Sequence, residues 1–281
     1  MRLWVWRHVR IELPDDWEML QFSRQSQGGR CAFADRYQFR LELNWREVPG
    51  PPDMERMTSD YLAKLRLDGS MPDAAVASSG GWQGIEGHQN GLFTSRFGRH
   101  FATERCLVEA VLLWPDKRDA DLERAVLASV APEPEHLGRF QRWRAFGMDI
   151  LASSGLALTD CRVEPANACL TFADERSGRQ ETFQRLGMVP EWLDGSARQW
   201  LEQQMPRDVA LVSQDATEDC GHAIERLVGT RRATLVRKRS RYEASAWICP
   251  ADGRLYCAAN TKATETEPRR LACCPDLELP L

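Results

Sequence analysis

A ten-residue stretch that recurs constrains this chain more than any other feature. Phe33-Ala34-Asp35-Arg36-Tyr37-Gln38-Phe39-Arg40-Leu41-Glu42 is echoed by Phe172-Ala173-Asp174, with Arg179 and Glu181 where Arg40 and Glu42 stood, each match 139 residues on. The same interval joins Val9 and Ile11 to Met148 and Ile150, Tyr61-Leu62 to Trp200-Leu201, and Ile85-Glu86 to Ile224-Glu225. An interval kept through intervening loops is what duplication of one packed unit leaves behind. Two tandem copies are therefore expected, residues 1–135 and 136–281, meeting at the stiff linker Pro132-Glu133-Pro134-Glu135.

Within the first copy, Val5, Val9, Ile11 and Leu13 share one parity, with Arg10 and Glu12 between the last three. Period two predicts a half-buried strand. Pro14-Asp15-Asp16 ends it in a turn, Gly28-Gly29 reads as a hairpin turn, and Phe39, Leu41, Leu43 and Trp45 alternate with polar residues. After Pro49-Gly50-Pro51-Pro52, Asp53 is placed to cap a helix from Met54 to Leu67. Strands near Leu92–Phe97 and Cys106–Trp114 and a helix from Asp121 to Val130 complete the copy. The second copy repeats this order but is degenerate at its C-terminus. There Cys249-Pro250-Ala251-Asp252-Gly253, aligned with Trp114-Pro115-Asp116, reads as a hairpin turn, and Thr261 to Leu281 has no clear periodicity. The expected fold class is α+β, two tandem copies of a mostly antiparallel sheet flanked by helices. On this reading Arg40/Glu42 and Arg179/Glu181 form an exposed charged pair repeated in each copy.

The segments "VRIELPDDWE", "CAFADRYQFRLELNW" and "MERMTSDYLAKL" give the chain an order of elements that resembles the Mog1/PsbP-like superfamily. The resemblance implies a binding module more than an enzyme and carries over no site residue. Composition agrees with a globular protein, 43% hydrophobic and 28% charged. The net charge of −4 lies wholly in residues 1–138, far from the basic footprint of a nucleic-acid binder. No run of about 18 apolar residues exists, and the N-terminus lacks a signal-peptide pattern. Nine scattered cysteines fit reduced thiols in a cytoplasmic protein better than a disulfide framework.

Chemistry is sparse. Seven cysteines lie in the second copy, and Cys249, Cys257, Cys273 and Cys274 with His222 include enough donors for tetrahedral zinc. Paired CxxC knuckles are absent, so buried thiols are the favoured reading, with metal or a Cys249–Cys257 disulfide across a hairpin as alternatives. Asp219-Cys220-Gly221-His222 has the letters of a nucleophile and base, but adjacent residues seldom meet at one reacting atom, and a turn explains them. No GxSxG, HExxH, Walker or GxGxxG motif occurs. Catalytic, cofactor-binding and metal residues are thus all expected to be none. The run from Arg231 to Arg241 could place Arg237, Arg239 and Arg241 on one strand face, beside Tyr242, with Arg96, Arg99 and Arg105 as first-copy counterparts. A solvated face paired with Glu225 and Glu243 is favoured over an anion or nucleic-acid site. Trp4, Trp6, Trp17, Trp45 and Trp82 are expected mainly in the core. The function expected is a non-catalytic protein-interaction or scaffold module that binds another protein, with metal- or thiol-dependent activity in the second copy as the alternative.

Overall fold

The computed structural model describes residues 1–7, 9–24, 28–133, 139–233, 239–262, 270–274 and 279. The chain divides into two compact units, Met1–Pro134 and Glu135–Leu281. His8, His136, Arg237, Lys238 and part of the linker lie outside the described residues.

The first unit runs Arg2–Trp6 (β1), Val9–Leu13 (β2), Glu18–Phe22 (β3), Gly28–Ala34 (β4), Phe39–Glu47 (β5), Met54–Leu67 (α1), Ala75–Ser79 (β6), Trp82–Gln89 (β7), Leu92–Phe101 (β8), Cys106–Trp114 (β9), Ala120–Ser129 (α2) and Ala131–Pro132 (β10). Strands β3-β4-β5-β9-β8-β7-β6 form one sheet in that order, and every neighbouring pair is antiparallel. The alternation from Val5 to Leu13 is two strands rather than one, because the chain turns at Arg7, whose φ is 59°. β2 then pairs with β1 and β10, with Val9, Ile11 and Leu13 buried and Arg10 and Glu12 exposed. Gly28-Gly29 is not a turn but the start of β4.

One face of the large sheet meets α2. Trp82 Nε1 donates to the Leu127 carbonyl at 3.0 Å, and the buried Glu123 accepts from Ser95 Oγ at 2.6 Å and Trp114 Nε1 at 3.1 Å. The other face meets α1, capped as its sequence requires by Asp53, which accepts from the Arg56 amide at 2.9 Å. All five tryptophans of the expected core are buried.

The second unit runs Phe140–Ala145 (β11), Met148–Ser153 (β12), Ala157–Glu164 (β13), Asn167–Asp174 (β14), Arg179–Leu186 (β15), Val189–Trp192 (α3), Ala197–Gln204 (α4), Val209–Asp219 (β16), His222–Arg231 (β17), Ser240–Ile248 (β18), Leu255–Thr261 (β19) and Leu271–Ala272 (β20). Its sheet has the order β13-β14-β15-β19-β18-β17-β16, the first unit's order strand for strand. Trp143 meets Phe172 edge-on at 5.1 Å, as Trp4 meets Phe33 at 5.4 Å.

The expected α+β class with flanking helices is overturned: the chain is predominantly β, with 55% of the described residues in strands and 14% in helices. The strands are long and hairpin-connected, and each helix covers only part of one sheet face. The constant 139-residue interval also fails beyond Phe33. In the first unit Phe33 pairs with Leu41, and in the second Phe172 pairs with Glu181, one residue further on. The extra residue flips the face of everything after it. Glu181 therefore occupies the place of Leu41, not of Glu42. It is fully buried, so the Arg179/Glu181 pair, which forms at 3.1 Å, is not the exposed pair expected. The slip persists at the next tight turn, where Trp82 follows Gly80-Gly81 and His222 follows Cys220-Gly221. Ile85 and Ile224 face opposite sides in consequence. Trp114-Pro115 and Cys249-Pro250 do not correspond either, since Cys249 directly follows β18 while Trp114 ends β9.

Asp35 shows what the repeated turn contributes. Desolvation raises its pKa, but the Tyr37 and Gln38 amides and the Arg40 guanidinium outweigh that and hold it below the usual carboxylate range. A depressed folded pKa stabilises above the unfolded value and is lost as pH falls through the folded one. Asp35→Asn is expected to cost about 1–2 kcal/mol at pH 7. In urea titrations the deficit against the parent shrinks once the pH is below about 4, and a deficit independent of pH contradicts the assignment.

Candidate functional site

Two arrangements stand out, one in each unit. In the first unit α1 packs along β6 and β7 through Leu65, with Tyr61 and Leu62 beside it, against Met71, Ala74 and Ile85. The middle of the sheet beyond it is left uncovered. A cleft of about 660 Å³ opens there, walled by Met54, Met57 and Tyr61 and floored by Asn44, Arg96, Leu107 and Glu109. Arg46 and Lys64 also line it, and the Arg96 guanidinium lies 5.8 Å from the Tyr61 ring centroid. Gly98 keeps the floor open, since a Cβ there would come within 2.7 Å of the Met54 methyl.

The second unit closes the corresponding face with its own side chains. α4 lies over β17 and β18, and Trp200 and Leu201 bury against Leu227, Tyr242, Ala244 and Ala246, with Val189 from α3 alongside. Tyr242 is thus a core residue and cannot stack a base, which corrects the aromatic part of the Arg231–Arg241 reading. Arg231 pairs with Asp208 at 2.7 Å, and Arg241 and Arg226 both pair with Glu243. Glu225 pairs instead with Arg198. Among the first-unit arginines, Arg96 lies in the cleft, Arg99 sits over Phe101, and Arg105 pairs with Glu47.

The opposite face of the second unit's sheet gathers donors from three separate segments. Cys220 (φ 49°) and Gly221 (φ 75°) make the tight turn between β16 and β17. The turn sends His222 inward, 1% exposed, while Cys220 stays at the surface. The two side chains therefore differ in burial, and the Cys220 atom that His222 Nδ1 meets is the carbonyl oxygen. Cys249 directly follows β18 and is fully buried. Cys273 and Cys274 follow β20, which pairs with β12 through Asp149–Ala272 and Ile150–Leu271. The donor atoms of His222, Cys249, Cys273 and Cys274 all lie within 4.8 Å of one another. His222 Nε2 is 3.4, 3.4 and 3.5 Å from the sulfurs of Cys249, Cys273 and Cys274.

Cys257 is excluded. It pairs with Ala246 on β18 and faces the α4 side, where burial pushes its thiol up to about 12. Cys249 lies on the other face, and none of the nine cysteines is in a disulfide, so the hairpin bridge does not form.

His222 Nδ1 is 2.9 Å from the Cys220 carbonyl, which only accepts, so Nδ1 carries a proton and Nε2 is the ring nitrogen turned toward the sulfurs. Burial raises the Cys249 thiol, which the nearby Ala251 and Asp252 amides only partly offset, and Trp247 Nε1 donates to Cys273 Sγ at 3.3 Å. Desolvation, with Cys249 and Cys274 nearby, raises the Cys273 thiol; the Trp247 bond only partly offsets it. The tail bearing Cys273 and Cys274 is held by Arg270, whose carbonyl accepts from Leu151 at 2.9 Å. The Arg270 side chain pairs with Glu181 at 2.7 Å.

No helix among the described residues is long and apolar enough to cross a membrane. No family model matches the sequence, and no curated protein matches it. Among solved structures, the chain is 14% identical to a protein from Bacteroides thetaiotaomicron, with a TM-score of 0.29 over 51% of this chain and 49% of that one, about half its length. It is 8% identical to the type VI secretion immunity protein TplEi of Pseudomonas aeruginosa, with a TM-score of 0.38 for the apo form over 95% of this chain and 88% of that one. For TplEi complexed with the "L" peptide the TM-score is 0.34, over 91% of this chain and 90% of that one. Likenesses of this size assign this chain neither a fold family nor a function.

Proposed function

We propose that this chain is a non-catalytic protein-interaction module, built from a duplicated β unit, that receives side chains of a partner polypeptide in the first unit's cleft. The observation that carries this reading is the contrast between the two sheets. The second unit fills the helix-side face of its sheet with Trp200, Leu201 and Val189, whereas the first leaves that region open beside exposed Met57. A groove with apolar walls and a few polar groups is the shape that takes an aromatic or aliphatic anchor. Arg46, Lys64 and Arg96 outnumber Asp60 and Glu109 in its lining, which favours an acidic residue beside that anchor. A binding role also accords with what the Mog1/PsbP-like resemblance implies, and nine thiols without a disulfide suit a reducing, cytoplasmic setting.

A photo-crosslinking residue at Met57 is expected to capture one polypeptide from the source cell, while the same residue at Leu67, exposed outside the cleft, captures none. Met57→Lys is expected to reduce capture about tenfold or more, as loss of a hot-spot anchor does. Stability should change by less than about 0.5 kcal/mol, because Met57 is 39% exposed. Equal capture at both positions, or none at Met57, overturns the proposal.

A further inference from the structure

We infer that His222, Cys249, Cys273 and Cys274 form a closed tetrahedral Zn²⁺ site that fastens the C-terminal tail to the second unit. The inference stands apart from the cleft and involves none of its residues. A Zn–S bond of about 2.3 Å and a Zn–N bond of about 2.0 Å at a tetrahedral angle put nitrogen and sulfur about 3.5 Å apart. The three Nε2–Sγ distances, 3.4 to 3.5 Å, match that edge. Three thiolates and one imidazole are a soft donor set that suits zinc rather than magnesium or calcium.

The surroundings are those of a metal–thiolate centre. A sulfur that accepts an N–H bond is helped to carry negative charge, and Cys273 accepts one from Trp247 Nε1 at 3.3 Å. The carbonyl of Cys220 sets the His222 tautomer that leaves Nε2 free to coordinate. On binding, the three thiols release their protons to solvent and the imidazole loses none. Four protein donors complete the coordination shell, with His222 and Cys249 buried, so no position remains for water or substrate. The site is structural. It clamps the β16–β17 turn, the end of β18 and the segment after β20, drawn from positions as much as 52 residues apart.

The test uses the full chain purified under reducing conditions. About one zinc per chain is expected by elemental analysis. After metal removal, Co²⁺ should give the visible bands of a tetrahedral ion and a near-ultraviolet thiolate-to-cobalt charge-transfer band. Cys274→Ser should weaken zinc affinity by about 100-fold or more, and Trp247→Phe, which removes only the bond to Cys273 Sγ, by about tenfold. Cys257→Ser should leave the cobalt spectrum unchanged. Where a ligand variant does not fold, the parent chain's cobalt spectrum decides. Substoichiometric zinc together with a parent spectrum lacking the charge-transfer band overturns the site. So does a Cys249–Cys273 disulfide in the reduced preparation, or a full spectrum in a folded Cys274→Ser variant.

Discussion

Glu181→Ala is expected to destabilise the second unit by about 3–5 kcal/mol at pH 7, the usual result of removing one partner from a buried ion pair. The carboxylate is fully buried and takes bonds from four directions. Ser153 offers its amide at 3.0 Å and its hydroxyl at 2.6 Å, Arg179 reaches it at 3.1 Å, and Arg270 at 2.7 Å. Without it, Arg270, 7% exposed between the Phe140 and Phe183 rings, loses the carboxylate that meets it at 2.7 Å. Glu181→Ala/Arg270→Met should recover part of the loss, because a buried charge deprived of this carboxylate costs more than the missing bonds. Urea unfolding measures both. Hydrogen exchange adds a local reading: the Leu151 amide, bonded to the Arg270 carbonyl at 2.9 Å, should lose protection earlier in the variant. A loss under about 1 kcal/mol, with Leu151 protection intact, would show that the tail is held by other contacts.

The same residue marks where reading the sequence stopped working. Caps and some turns are local, and they were legible: Asp53 caps α1, Pro14 closes a turn onto the Trp17 amide, and Phe33 and Phe172 sit in matching cores, although Gly28-Gly29 begins a strand where a turn was expected. Face is not local. One residue added between Phe172 and Glu181 reverses which side chains point inward, yet leaves the letters Arg-x-Glu in apparent register. The low helical share escaped for a related reason. Amphipathic spacing locates a helix but not how much sheet it covers, so the displacement between α1 and α4 could not be seen. The four donors could be named from the sequence, together with Cys257, but not their meeting. A familiar zinc motif places two ligands on one knuckle, whereas the turns at Cys220-Gly221 and Cys249-Pro250 supply one ligand each and the tail two, so buried thiols are the favoured reading. Only the β17–β18 pairing and the return of β20 beside β12 bring them together.

Truncating the repeated phenylalanine tests whether the two units stand on equivalent cores. Phe33→Ala and Phe172→Ala should each cost about 3–5 kcal/mol, since both rings are fully buried and the cavities left behind are walled by strands that cannot collapse. The two losses should differ in a direction the geometry sets. Phe33 has an edge-on contact with Trp4 at 5.4 Å. Phe172 has two, with Trp143 at 5.1 Å and Phe183 at 5.9 Å. Each such pair adds roughly 0.5–1.5 kcal/mol beyond the area it buries, so Phe172→Ala should be the more damaging by about 1 kcal/mol. Hydrogen exchange mapped along the chain assigns each loss to its unit. Phe33→Ala should lower protection in β4 and β5 and spare β14 and β15, and Phe172→Ala should do the reverse. If either substitution lowers protection in both sets of strands alike, the units unfold as one body. The matching strand orders would then describe a shared topology without independent cores, and the helix-side difference between the sheets would have to be explained by the chain as a whole.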